Sequence, residues 1–295
     1  MLAFFLAGGG LGVYRYLWNY WVYRGFAPPH DPAYVTQTGT TDTLELTSPA
    51  LGGRGQEVVV YLPPGYDSQP ARRYPVLYLL HGSPGTPHAF LHELRMGVLD
   101  DVFAARQRAQ PLILVMPFGS TGQFTDKEWA NGYRPHEEWE TFLARDVVRA
   151  IDSRYRTIPN GSGRALAGLS GGGYGALNIG LHHPGEFGVI ESWSGYEQAD
   201  PLRSIFGTSS ERLAWNSPSN LLPHVARALR RNHTYVWLYS GTTDRLRAEN
   251  TRFARALTRL HVRHRYFVAD GGHEWALWRR YAPAAYRVAA GQLHG

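Results

Sequence analysis

Short runs of consecutive apolar residues punctuate the chain, separated by longer stretches in which apolar positions recur at helical spacing. Leu44–Thr47 and Glu57–Leu62, with Gly52, Gly53 and Gly55 between them, predict an opening antiparallel pair that Pro63, Pro64 and Gly65 end. Tyr74–Leu80 is apolar around Pro75, the signature of a strand buried on both faces of a parallel sheet. The alternation then continues with a helix within His88–Ala109, strand Leu112–Met116, helix Trp139–Tyr155, strand Arg164–Leu169, helix Gly173–His183 and strand Val189–Trp193. After an irregular stretch come helix Val225–Arg231, strand Tyr235–Ser240, helix Ala248–Leu260, strand His264–Val268 and a closing helix from about Glu274. Strand and helix in succession predict an α/β protein: a doubly wound, mostly parallel sheet with helices on both faces, binding its ligand beyond the carboxyl ends of the strands.

The seventeen residues RALAGLSGGGYGALNIG, 164–180, lead from a strand into a helix of small residues. Gly168, Leu169, Ser170, Gly171 and Gly172 in that setting have the pattern of a nucleophile elbow, in which a sharp turn exposes the serine Oγ. The Gly171 amide then faces the same way at the start of a helix dipole, where a developing oxyanion is stabilised. A bare pentapeptide of this kind also arises as an ordinary Gly-rich turn, so partners decide. Asp244 follows strand Tyr235–Ser240 and His273 follows strand His264–Val268, which places both at the ligand-binding edge. The chain order Ser, Asp, His is that of the elbow hydrolases. Glu249 and Asp270 are rivals for the acid, the first on a helix face and the second at a loop. Ser83, after the strand ending in His81 and Gly82, is the candidate second oxyanion amide, because Pro84 has no N–H to offer.

With these residues in place the chain resembles the putative-esterase family of α/β hydrolases, the group that contains esterase D, feruloyl esterases and mycolyltransferases. The resemblance spans about residues 40–290 and is carried by YLPPGY at 61–66, YPVLYLLHG at 74–82, WETFLARDVVRAIDSRYRT at 139–157, RALAGLSGGGYGAL at 164–177, SGTTD at 240–244 and GGHEW at 271–275. It implies the α/β-hydrolase fold, Ser170 as nucleophile, Asp244 as acid, His273 as base, and Ser83 and Gly171 as oxyanion donors, with no metal or cofactor. The 139–143 segment is especially similar to the mycolyltransferases, yet the arginine they carry soon after the oxyanion glycine is missing from Gly82, Ser83, Pro84, Gly85.

Composition adds less. The 295 residues suit one large domain, and the absence of cysteine removes disulfides, a thiolate nucleophile and thiolate metal sites. The net charge of +6 comes almost wholly from arginine, Lys127 being the one lysine. Arg245, Arg247, Arg252, Arg255, Arg259, Arg263 and Arg265 read first as a solvated helix face and second as a surface drawn to anionic envelopes. No nucleic-acid module accompanies them.

Residues 1–33 are set apart from an esterase domain at 34–295, which carries a small lid at about 198–222. Met1–Tyr23 is apolar and aromatic but interrupted by Gly8, Gly9, Gly10, Gly12 and Arg15, too short a run for a spanning helix and without the charged start of a secretory signal. Its Tyr and Trp cluster suits a membrane interface, so association through residues 1–24 and a membrane or cell-envelope location are favoured over the cytoplasm. Residues 25–33 form a Pro-rich linker. The segments 118–134 and 198–222, with Trp129, Trp193 and Tyr196, are candidates for the substrate pocket. The expected activity is hydrolysis of a carboxylic ester, small-molecule, lipid or carbohydrate, through an acyl-enzyme. Acyl transfer to an envelope sugar or lipid is the first alternative, and a non-catalytic membrane-linked binding protein is the second.

Overall fold

The structure is a computed structural model that describes residues 13, 14, 17, 22–122, 125 and 127–294. Its strands are β1 (Thr40–Ser48), β2 (Arg54–Leu62), β3 (Val76–Leu80), β4 (Ile113–Pro117), β5 (Arg164–Leu169), β6 (Val189–Trp193), β7 (Tyr235–Gly241) and β8 (His264–Ala269). They form one sheet in the order β1-β2-β4-β3-β5-β6-β7-β8. β1, β2 and β4 pair antiparallel, and every pairing from β4 to β8 is parallel. This is the α/β-hydrolase arrangement, with β3 beside the elbow strand β5, as expected.

All five residues of β3 are buried, and each apolar side chain so placed contributes roughly 1.5–3 kcal/mol relative to exposure. Alternation along β5 divides the core: Leu166 joins one cluster, while Ala165, Ala167 and Leu169 join the other. The first cluster is covered by α3 (139–154), α4 (Gly171–His182), α7 (Pro218–Arg231) and α8 (Arg247–Arg259). The second lies under α2 (Met96–Ala105) and α9 (Trp275–Gln292). The short α1 (Ala89–His92), α5 (Arg203–Phe206) and α6 (Ser210–Trp215) sit at the rim.

Three predicted elements differ. The helix expected within His88–Ala109 is two, α1 and α2, because Arg95 adopts φ 57 and breaks the ladder between them. α3 carries a π-helical stretch over Phe142–Val147. α7 starts at Pro218, seven residues before the predicted Val225, so residues 218–222, expected as the end of a lid, are helix. Pro218 stands at the first helical position, where its missing N–H costs no intrahelical bond.

The segment read as membrane-associated, 1–24, lies outside the described residues except for Val13, Tyr14, Leu17, Val22, Tyr23 and Arg24. No helix among the described residues is long and apolar enough to cross a membrane.

Candidate active site

β5 turns into α4 through Ser170, whose φ of 54 and ψ of −121 lie in a region a non-glycine residue rarely occupies. The turn is held by the Ser170 N–H donating to the Trp193 carbonyl (3.0 Å) at the end of β6. Two flanking glycines are required by space. A Cβ on Gly172 would collide with the Leu80 carbonyl oxygen, and one on Gly168 with the carbonyl of Gly172. The strain therefore persists because neighbouring backbone fixes it.

β7 and β8 are adjacent and parallel, so the loops that follow them are side by side. Backbone bonds lace the loops together, Thr242 N–H to Ala269 O (2.8 Å) and Thr243 N–H to Gly271 O (3.0 Å). This brings Asp244 Oδ2 to 3.1 Å from His273 Nδ1, and His273 Nε2 to 2.8 Å from Ser170 Oγ. Asp244 is fully buried at its side chain and His273 is 27% exposed. The second carboxylate oxygen of Asp244 accepts the Leu246 N–H (2.9 Å), which fixes its orientation. Burial alone would raise the Asp244 carboxyl, but the bonds from His273 and Leu246 outweigh it and hold the group below the usual carboxylate range. Trp278 meets the His273 ring edge-on at 5.1 Å.

The two rivals for the acid face elsewhere. Glu249 Oε1 accepts the Glu197 N–H (2.6 Å), and Asp270 is an exposed loop residue near Thr242 (3.4 Å).

Gly171 is the first residue of α4, so its amide is one of the donors a helix start leaves unsatisfied. Gly82 packs against Ser170, leaving room for a Cβ only 3.0 Å from that of the serine. Ser83 and Gly171 accordingly line one narrow pocket beside the serine. His81 is tied into this turn: Gly119 N–H donates to its Nε2 (3.0 Å), so the Nδ1–H donates to Gly82 O (2.8 Å).

The three proposed pocket aromatics separate. Trp129 is buried beneath the turn at His81 and Gly82, its indole N–H donating to His81 O (2.9 Å), and it lines the narrow pocket. Trp193 does not reach a pocket: it is fully buried in the core beside Phe90, with its N–H on Glu191 Oε2 (3.0 Å). Strand alternation explains the correction, since position 193 shares the face of Val189 under α2 and α9. Tyr196 stacks on Tyr174 at 4.8 Å and packs with Ile205, Phe206 and Leu213.

Three residues near the site escaped the sequence reading. Glu128 is buried, and its carboxylate packs against Gly171 so closely that a Cβ there would lie 2.5 Å from Oε2. Arg24 and Glu93 line a separate cavity with Trp275. None stands in a motif, and their approach depends on loops whose course no local pattern records.

The profile of the family described as putative esterase matches residues 48–286. An esterase of Mycobacterium tuberculosis (strain ATCC 25618 / H37Rv) is 36% identical over 150 residues, covering 51% of this chain and 30% of that protein. The chain thus spans less than a third of the length of the first curated relatives it matches. A diacylglycerol acyltransferase/mycolyltransferase of Mycobacterium avium is 25% identical over 216 residues, covering 57% of this chain and 58% of that protein. Among solved structures, a ferulic acid esterase superposes with a TM-score of 0.76 at 24% identity, covering 87% of this chain and all of that one. The profile match over most of the chain, on an α/β-hydrolase sheet with its elbow serine in place, identifies this protein as a member of the putative esterase family.

Proposed function

We propose that the protein is a serine carboxylic-ester hydrolase working through an acyl-enzyme. The observation that carries this reading is the continuous relay from Asp244 through His273 to an elbow serine, at 3.1 and 2.8 Å. Ser170 Oγ attacks the ester carbonyl carbon while His273 Nε2 takes the hydroxyl proton. The oxyanion that forms is stabilised by the amides of Gly171 and Ser83. As the intermediate collapses, the C–O bond to the alcohol breaks and His273 returns the proton to the leaving oxygen. Water then repeats the sequence on the acyl-enzyme, releasing the acid and restoring Ser170. Asp244, kept ionised, orients the imidazole and offsets its positive charge.

Replacing Ser170 by Ala should abolish turnover of p-nitrophenyl acetate and labelling by a fluorophosphonate probe, with the melting temperature unchanged. Retained turnover would overturn the assignment. Likeness to a mycolyltransferase supports a second reading, acyl transfer to an alcohol acceptor. That reading expects ester formation to outpace acid release when glycerol or a sugar is added, followed by product analysis.

A further inference from the structure

The positive charge of this protein is concentrated in one stretch. Of the 30 basic and 24 acidic residues in the chain, residues 218–265 take ten and two, which leaves the remainder with 20 and 22, a slight acidic excess. The stretch holds α7 and α8, which cover one face of the sheet side by side. Their ends are tied by Arg230, whose guanidinium donates to the Leu260 carbonyl (2.6 Å). Each helix buries one stripe: Leu221, Leu222, Ala226 and Leu229 on α7, and Asn250, Phe253, Ala254 and Leu257 on α8. The helical repeat puts Arg227 and Arg231, and Arg252, Arg255 and Arg259, opposite those stripes, and all five are exposed.

A helix face that meets only water gains from alternating opposite charges three and four residues apart. Here the spacing is the reverse. Arg227 and Arg231 are four residues apart, as are Arg255 and Arg259, and Arg252 is three from Arg255, so each pair repels. None of the five is in an ion pair among the described residues. The acids beside Arg252 do not relieve it. Glu249 is turned to the Glu197 N–H (2.6 Å), and burial pushes the Glu197 carboxyl well above the carboxylate range, so it holds no charge to offer. Neighbouring helices pack about 10 Å apart, on the order of a Debye length, so the two stripes act as one field.

An array of phosphates relieves such a face, because guanidinium forks pair phosphate oxygens two at a time. A site for nucleic acid would add aromatic rings on which bases stack. The exposed large aromatics among the described residues, Tyr14, Tyr34, Tyr133 and Trp215, stand on neither helix. The chain does offer apolar groups to a bilayer, since Val13, Tyr14 and Leu17 are 60, 61 and 49% exposed. A polybasic face joined to an apolar segment is the pairing that holds proteins on membranes. We propose that the outer face of α7 and α8 docks on an anionic phospholipid bilayer. α8 begins three residues after Asp244, so the bilayer lies alongside the catalytic edge and not across it. The docking is independent of the ester chemistry.

The full chain is sedimented at about 0.1 M salt with vesicles of phosphatidylcholine containing about one third phosphatidylglycerol, and with phosphatidylcholine alone. Binding should require the anionic lipid and weaken about tenfold or more at about 0.5 M salt. Arg252→Gln, Arg255→Gln and Arg259→Gln combined should lower the partition coefficient about 100-fold, at about fivefold per charge. The same three positions changed to Lys, which keeps the charge, should stay within about fivefold of the wild type. Arg106→Gln, Arg108→Gln and Arg287→Gln combined remove equal charge from exposed positions on the other face of the sheet, at the end of α2 and on α9, and should cost less than about fivefold. Arg227→Gln with Arg231→Gln reads the face from the second helix, with a loss of about 25-fold, should the α8 variant fail to fold. Equal losses in the two triple Gln variants would assign the attraction to net charge and overturn the face. Equal binding to phosphatidylcholine alone, or sedimentation with neither vesicle, would overturn it as well. Tighter binding to duplex DNA than to the anionic vesicles at the same salt would overturn the bilayer as partner.

Discussion

Two histidines among the described residues pair one ring nitrogen with a buried carboxylate and have the other bonded as well, and only one of them is fitted to be a base. His273 has Nδ1 on Asp244 (3.1 Å) and Nε2 on Ser170 Oγ (2.8 Å). His182, at the end of α4, has Nδ1 on Glu140 Oε2 (2.8 Å) and Nε2 on the Trp215 carbonyl (3.1 Å). A hydroxyl both donates and accepts, so the Nε2 facing Ser170 can carry a lone pair and take a proton. A carbonyl only accepts. The His182 Nε2 faces a carbonyl oxygen, which holds no proton for a base to take. The third partner, more than the histidine–carboxylate pair, separates an arrangement suited to proton transfer from a clamp that ties α3 to α4 and α6. Trp215 also stacks on the His182 ring at 5.2 Å, and His183 Nε2 adds a second bond to Glu140 (2.9 Å).

The comparison breaks most visibly through His273→Ala, which should lower kcat on p-nitrophenyl acetate by about 10⁶-fold, whereas His182→Ala should leave kcat within about threefold because no step passes through it. Comparable losses in steady-state assays would place His182 in the chemistry. Next in size, Asp244→Asn should cost about 10⁴-fold by removing the orienting charge. Glu249→Gln and Asp270→Asn should each stay within about threefold, since neither carboxylate faces His273; the opposite ranking would move the acid.

The clamp should show itself in stability. Glu140→Gln is expected to lose roughly 2 kcal/mol in urea unfolding at pH 7, the scale of charge-assisted bonds to a buried group. Burial would raise the Glu140 carboxyl, but the bonds from His182 and His183 prevail and its pKa is lowered. A carboxyl with a lowered folded pKa stabilises the fold fully above its ordinary value of 4.5 and loses that contribution as the pH falls through the lower folded value. The gap between wild type and Glu140→Gln should therefore narrow as the pH falls below about 4.5; a constant gap would show that Glu140 acts through packing alone.

A second buried carboxylate has a pH dependence of the opposite sign. Burial raises Asp100 to about 8 against its bonds from Tyr286 and Leu112, so the folded state holds a proton that the unfolded chain has released. Stability from this group is present below about pH 4 and declines up to about 8. Asp100→Asn should flatten the fall in melting temperature between pH 5 and 9, and an unchanged slope would count against the assignment.

Local patterns recorded much of the site. Strands Arg164–Leu169 and Val189–Trp193 have the predicted bounds, because apolar runs flanked by glycine and turn residues mark a buried strand with little ambiguity. Asp244 and His273 could be chosen because they follow strands, and strand ends share one edge in a parallel sheet. The facing of Trp193 depends on register against neighbouring strands, and the start of α7 lies in a stretch without helical periodicity, so neither is written in a local pattern. Glu140 shows the same limit: it stands in a helix that the sequence predicts, but its meeting with His182 joins positions 42 residues apart.

The sequence alone determined the order of strands and helices, the family resemblance, and the three side chains that form the relay, since each is written in residues adjacent along the chain. Tertiary structure decided the distances in that relay, the separation of His273 from the His182 clamp, and the cavity lined by Arg24, Glu93 and Trp275. The physical reason is that hydrogen bonding and burial act through space, between segments whose approach is set by the packing of the whole sheet.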